Sequence, residues 1–427
     1  MKTVALGVDG MEPSLCEEWV KTGELPNIAA LRREGSYGTS QCTTLISAQQ
    51  WATHFTGVHA DRHGIQGFLK QDDKPAYDTN PGTRVSPDTK KLISTADIEV
   101  KTYPELLAEN GNSVGLVNPL PLWPPLELDD GFCVSGMVTP PNADQYTYPE
   151  LLADELKKFN YRIDVRYGDR PYGFIDDPLF TENTIEIDEL RTDMFDVLDS
   201  RIKYIKYCLD QKHPDFLYGL LKTIDIIQHA FWAHMEHDDP AHGEAILDSY
   251  RRVDSLVGWI RDNYSDTNLL IFSDHGFGPR HNPRSDLLQS IAYGIDNKLS
   301  VPYRLKEVYR SVFKRESEAD LENIDQITGD HDNPAVWMLG GPNTESVDDL
   351  SIHFDDLTPT LLALHGEPVP RLYSGSVLED VISLNPTYQD IDLNVNRECR
   401  DDVDTTVSER LYNLGYAEMV EESHGEE

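Results

Sequence analysis

Cysteine is scarce and unpaired in this chain. Cys16, Cys42, Cys133, Cys208 and Cys399 are scattered, odd in number, and form no CxxC pair. A disulfide scaffold is therefore excluded, and a reducing compartment fits. Long hydrophobic runs are missing as well: no stretch approaches the roughly 18 apolar residues of a membrane span. The opening MKTVALGVDG is too briefly apolar for a secretion signal and runs into Asp9, so it reads as a buried strand. A cytoplasmic protein without a membrane partner is the expectation. Positive charge is the third shortage. Lys and Arg number 37 against 75 Asp and Glu, a formal net charge of -38. Such a chain is repelled by nucleic acid and by anionic lipid. Disorder does not account for the imbalance, because 39% of residues are hydrophobic and many lie in periodic segments. What remains is a folded protein with an acidic, strongly hydrated surface suited to high salt. There the Debye length falls to about 3 Å and neighbouring carboxylates repel each other little.

Strand-like and helix-like stretches alternate. Apolar runs at 3–8, 113–117, 216–221, 269–272 and 335–339 read as strands. Helical spacing marks 25–34, 189–210 and 245–264. Alternation of this kind predicts an α/β fold, a mostly parallel sheet with helices on both faces. Two stretches break the rhythm, 140–188, rich in Tyr, Pro and Asp, and 283–328, charged and helical. Both read as cap insertions within a single catalytic domain spanning 1–420, with 421–427 an acidic tail.

Chemistry-bearing residues gather at three predicted strand ends. VALGVDG puts Asp9 at the end of the first strand, and LLIFSDHGFG puts Asp274 and His275 at the end of a later one. FLYGLLKTIDIIQH puts Asp225 just past a third, with His229 four residues on and hence on the same helix face. Ligands of open α/β sheets bind at the carboxyl ends of strands, so the three clusters should converge. Taken singly, each has a plain alternative: a helix cap for Asp9, polar surface for Asp274 and His275, a surface pair for Asp225 and His229. Together they are the oxygen and imidazole donors that suit zinc and similar divalent ions. Ser47 opens a predicted helix, ISAQQWATHFTG, that Gly57 would end. With Gln50 it makes an S-x-x-Q capping box, so a simple capping role is one reading. The other is a nucleophile facing an anion-binding helix N-terminus.

The segments GVDGMEP, LPNIAALRREGSYG, WATHFTGVHADRHGI, TIDIIQHAFW, FSDHGFGP and DLTPTLLALHGEPVP occur in that order. Together they resemble the type I phosphodiesterase/nucleotide pyrophosphatase branch of the alkaline phosphatase superfamily. The likeness extends over roughly residues 3 to 416 and is nearest to a prokaryotic group of predicted phosphohydrolases or phosphomutases. The resemblance implies an alkaline-phosphatase-like fold and a metal-dependent phosphoester hydrolase. It implies Ser47, ten residues before Gly57, as nucleophile. It also implies two divalent ions, zinc or alternatively manganese. One would be held by Asp225, His229 and His331, the other by Asp9, Ser47, Asp274 and His275. His281, in GPRHN, competes with His331 for the first site. Gln66 stands in HGIQGF where nucleotide pyrophosphatases carry an Asn, which points away from nucleotide specificity, and His63 reads as structural.

The expected partner is a small-molecule phosphoester. A metal-dependent phosphomutase shares the same ligands, and a non-catalytic metal-binding protein is the alternative of a different class. One basic stripe stands out on the acidic background. In YRLKEVYRSVFKRE, Lys306 and Arg310 are four residues apart and are candidates for capturing an anionic substrate.

Overall fold

The run Thr3–Gly7 (β1) is buried at every residue, as a strand covered on both faces must be. The computed structural model describes residues 2–71, 90–140, 143–167, 170–171, 187–280, 328–395 and 397. After β1 come the helix Pro26–Glu34 (α1), the strand Ser36–Gln41 (β2) and the helix Ser47–Thr56 (α2). Strands Val114–Val117 (β3), Gly131–Val134 (β4) and Thr147–Tyr148 (β5) follow. Next are the helix Ile187–Tyr207 (α3), the strand Phe216–Leu220 (β6), and the helices Thr223–Glu236 (α4) and Ala245–Asn263 (α5). The strands Asn268–Phe272 (β7), Gly276–Pro279 (β8), Gly329–Asp332 (β9), Ala335–Gly340 (β10) and Ile352–His353 (β11) come before the helix Leu357–His365 (α6).

Nine strands form the main sheet in the order β11-β2-β10-β7-β1-β6-β3-β4-β5. Only β10 and β5 run against the common direction. This is the mostly parallel α/β sheet the alternation predicts. β2 was not among the predicted strands. Its SYGTSQ alternates buried and half-buried residues with little apolar content, because it pairs with β10 and β11 rather than filling the core. Two helix groups flank the sheet: α1, α3, α4 and α5 pack on one another, while α2 packs on α6.

β1 lies between β6 and β7, and Gly7 is level with Leu220 on one side and Phe272 on the other. Three neighbouring strands therefore end together, and the residues just beyond them share one edge. Within the first stretch read as an insertion, Thr147–Tyr148 adds the outermost strand of the sheet. The second, 283–328, lies outside the described residues except for Thr328, as do Lys306, Arg310, His281 and the tail 421–427. Among the described residues no helix is long and apolar enough to cross a membrane.

Candidate active site

Asp9 leaves the end of β1, Asp274 and His275 leave the end of β7, and Asp225 and His229 sit one helical turn apart on α4, which follows β6. His331 arrives from β9, whose hairpin partner β8 continues directly from His275. The side chains collect into two groups, Asp9/Asp274/His275 and Asp225/His229/His331, each with one donor atom per residue within 4.8 Å of the others. His331 thus stands beside Asp225 and His229, while His281 lies outside the described residues.

The hydrogen bonds around these six residues share one arrangement. A peptide carbonyl only accepts, so a ring nitrogen bonded to one must carry the proton. His275 Nδ1 donates to Gly276 O at 2.9 Å, His229 Nδ1 to Gly329 O at 2.8 Å, and His331 Nδ1 to Leu45 O at 2.9 Å. All three Nε2 atoms therefore point into the site. Each carboxylate likewise takes a hydrogen bond on one oxygen, and Asp9 takes a second, at 3.5 Å, from Lys222 Nζ on Oδ1. Asp9 Oδ2 accepts from Trp51 Nε1 at 2.9 Å, Asp274 Oδ1 from the Gly10 N–H at 3.4 Å, and Asp225 Oδ2 from Lys222 Nζ. The other oxygens face the imidazoles. Asp9 Oδ1 lies 3.5 Å and Asp274 Oδ2 3.4 Å from His275 Nε2, and Asp225 Oδ1 lies 3.0 Å from His331 Nε2 and 3.4 Å from His229 Nε2. The Nε2 atoms of His229 and His331 are 3.1 Å apart. Asp225 Oδ1 and Asp274 Oδ2 are buried without a hydrogen-bond donor. Orphaned inward lone pairs backed by outer donors are what a cation site requires, and the donor set suits zinc or manganese.

The electrostatics follow from burial and crowding. Burial, then the charge of Asp274, pushes Asp9 well above the usual carboxylate range. Burial does the same to Asp274, to about 6. Burial would also raise Asp225, but Lys222 and His229 outweigh it and hold that carboxyl well below the range. Burial, then His331, drives His275 well below the ordinary imidazole value. Burial alone would lower His331 too, yet its contact with Asp225 lifts it to about 9.

Ser47 is fully buried, with Oγ 3.2 Å from His275 Nε2. The capping box is not formed. Ile46 is the N-cap and Ser47 the first helical residue, while Gln50 Oε1 accepts from Thr43 Oγ1 at 2.9 Å. The hydroxyl is thereby released from the helix end and turned to the Asp9 group. Gly57 ends α2 in the left-handed conformation at φ 68, as its position suggested. His63 is buried away from both groups; its Nδ1 accepts from the Ile65 N–H, and its Nε2 lies 3.1 Å from Thr53 Oγ1.

Two residues that matter here escaped the sequence reading. Trp51 lies four residues after Ser47, so one face of α2 carries both the hydroxyl and the donor to Asp9. Lys222 lies three residues before Asp225 and was the only cation in the mostly apolar run LLKTIDII. Those spacings were the available signal.

Residues 3–333 match the family of type I phosphodiesterases / nucleotide pyrophosphatases. No curated protein matches the chain in sequence. Among solved structures, wild-type alkaline phosphatase PafA superposes with a TM-score of 0.51 at 12% identity, covering 89% of this chain and 98% of that one. Murine ectonucleotide pyrophosphatase / phosphodiesterase 5 gives 0.44 at 12% identity, over 86% of this chain and 96% of that one. Phosphonoacetate hydrolase from Sinorhizobium meliloti 1021 gives 0.41 at 16%, over 68% and 62%. Its sheet is alkaline-phosphatase-like in fold, and with a family match over most of its length the chain belongs to the type I phosphodiesterase / nucleotide pyrophosphatase family, hydrolases acting on phosphoric ester bonds.

Proposed function

We propose that this chain hydrolyses small-molecule phosphoesters with Ser47 as nucleophile beside two divalent metal ions, zinc or alternatively manganese. Asp9, Asp274, His275 and the Ser47 hydroxyl would hold one ion, and Asp225, His229 and His331 the other. When bound, such ions supply Lewis acidity, lowering the pKa of a coordinated hydroxyl and offsetting charge on phosphoryl oxygens. The observation that carries this reading is the set of six donors fixed from outside with their remaining atoms turned toward one another.

The remaining steps belong to the protein. Ser47 Oγ, at the first turn of α2, attacks phosphorus as its proton leaves the hydroxyl. The Oγ–P bond forms while the ester P–O bond breaks, and the proton lost by the hydroxyl passes to the leaving oxygen. Water then attacks the phosphoseryl group, releases the phosphoryl product and returns the serine. The N–H groups at the start of α2 and the burial of Asp9, Asp225 and Asp274 supply a fixed, largely dry polar frame, so little reorganises during reaction.

The test uses aryl phosphate mono- and diesters with zinc or manganese. Wild type should turn over at least one of them, and a chelator should remove the activity reversibly. Ser47→Ala should lose about a thousandfold or more while keeping its melting temperature. An acid-quenched digest of the wild type should contain a phosphorylated Ser47 peptide. Activity surviving in a folded Ser47→Ala protein would remove the nucleophile from this account.

A further inference from the structure

A buried cation touches both candidate ligand groups. Lys222 directly precedes α4 and is 2% exposed. Its ammonium pairs with Asp225 Oδ2 and lies 3.5 Å from Asp9 Oδ1, and both carboxylates are fully buried. Asp225 belongs to one ligand group and Asp9 to the other. We infer that Lys222 is a built-in third cation of the centre, a positioning residue that bridges the two ligand groups and keeps them assembled before any metal is bound. This rests on the two-metal reading of the same residues.

An ammonium has no lone pair and cannot ligate a metal. Its charge opposes the arrival of divalent ions at short range in a poorly screened interior, so a centre shaped only for tight metal binding would omit it. In the metal-free chain its effect is reversed. Asp9, Asp225 and Asp274 are crowded together without solvent, and like charges so placed repel strongly. Lys222 offsets that repulsion where the two groups meet. It also occupies Oδ2 of Asp225, which leaves Oδ1 alone to face His229 and His331. The ligand set is thus preformed, and the cost is some metal affinity.

The test compares wild type with Lys222→Met, which keeps the apolar stem, and Lys222→Arg, which keeps the charge. Each is stripped of metal and then titrated with zinc at about pH 8. Metal-free Lys222→Met should melt several degrees below wild type, or be recovered unfolded, and zinc should restore it. Competition with a fluorescent chelator should show zinc bound more tightly than in wild type, on the order of tenfold. Lys222→Arg should melt near wild type without metal. Three results would overturn the inference: an unchanged metal-free melting temperature in Lys222→Met, a loss that zinc cannot restore, or weaker zinc binding. A wild-type chain that takes up neither zinc nor manganese would instead overturn the metal reading itself, an outcome visible before any variant is made.

Discussion

Trp51 gives its indole N–H to Asp9 Oδ2 and so leaves Oδ1 toward His275. Trp51→Phe removes that donor while keeping most of the ring's contacts with Tyr218, Phe272 and Phe354. Outer partners of this kind typically contribute a factor of about 10–100 in metal affinity. Zinc affinity, read by chelator competition, should fall by that much in Trp51→Phe, and an affinity equal to wild type would mean that Asp9 is oriented by its backbone alone. At this scale the sequence was informative about Asp9, Asp225, His229, Asp274 and His275, because each follows an apolar run that could hardly be anything but a strand. His331 could not be separated from His281 by spacing, since a hairpin brings it into place. Trp51 and Lys222 were illegible for a related reason: their partners come from other strands, and a tryptophan or lysine in an apolar segment reads first as packing.

Strands and helices fix the site through a few close approaches. A Cβ on Gly7, the last residue of β1, would lie 2.6 Å from Trp51 Cη2 and 2.9 Å from Leu220 Cδ1, so only glycine lets α2 settle onto the strand end that leads to Asp9. At the opposite end of β1, His365 closes α6, with Nε2 3.1 Å from Asn112 Oδ1 and Nδ1 3.3 Å from Thr3 Oγ1. Burial, helped by the charge of Lys2, lowers this imidazole to about 4. The unfolded chain binds a proton there near pH 6.5 and the folded one does not, so stability rises with pH across that window. The contribution is complete above about 6.5 and is lost as pH falls toward 4, with a slope near 1.4 kcal/mol per pH unit. His365→Gln should flatten the dependence of unfolding free energy on pH by that slope between those limits, as read by denaturant titration. An unaltered slope would place the proton uptake elsewhere. The element boundaries expected from apolar runs hold to within a few residues. β2 was missed because half-buried polar strands carry no such run, and the box at Ser47 was misread because the helix begins one residue earlier in its geometry than in its chemistry.

For the molecule as a whole, the excess of 38 acidic over basic residues cannot be neutralised by internal pairing. Self-repulsion on that scale is relieved by salt, since the screening length shrinks from about 10 Å at 0.1 M to about 3 Å at 1 M. The melting temperature should climb steadily over that range in a non-chelating salt, and a flat profile would count against an acidic surface adapted to high ionic strength. Architecture on this scale was legible in the alternation of periods, whereas the reversal of β10 within the sheet was not, because strand direction leaves no mark on composition. The pairing of β8 with β9 has a bearing on how such a protein can diversify. Gly276 lies opposite Asp332 and Pro279 opposite Gly329, so the chain departs from the candidate site and re-enters it through one paired doorway. Whatever length of polypeptide is spliced beyond that doorway, His331 is returned to the same spot. Residues 281–327 can therefore change in length and sequence while this pairing keeps His331 beside Asp225 and His229.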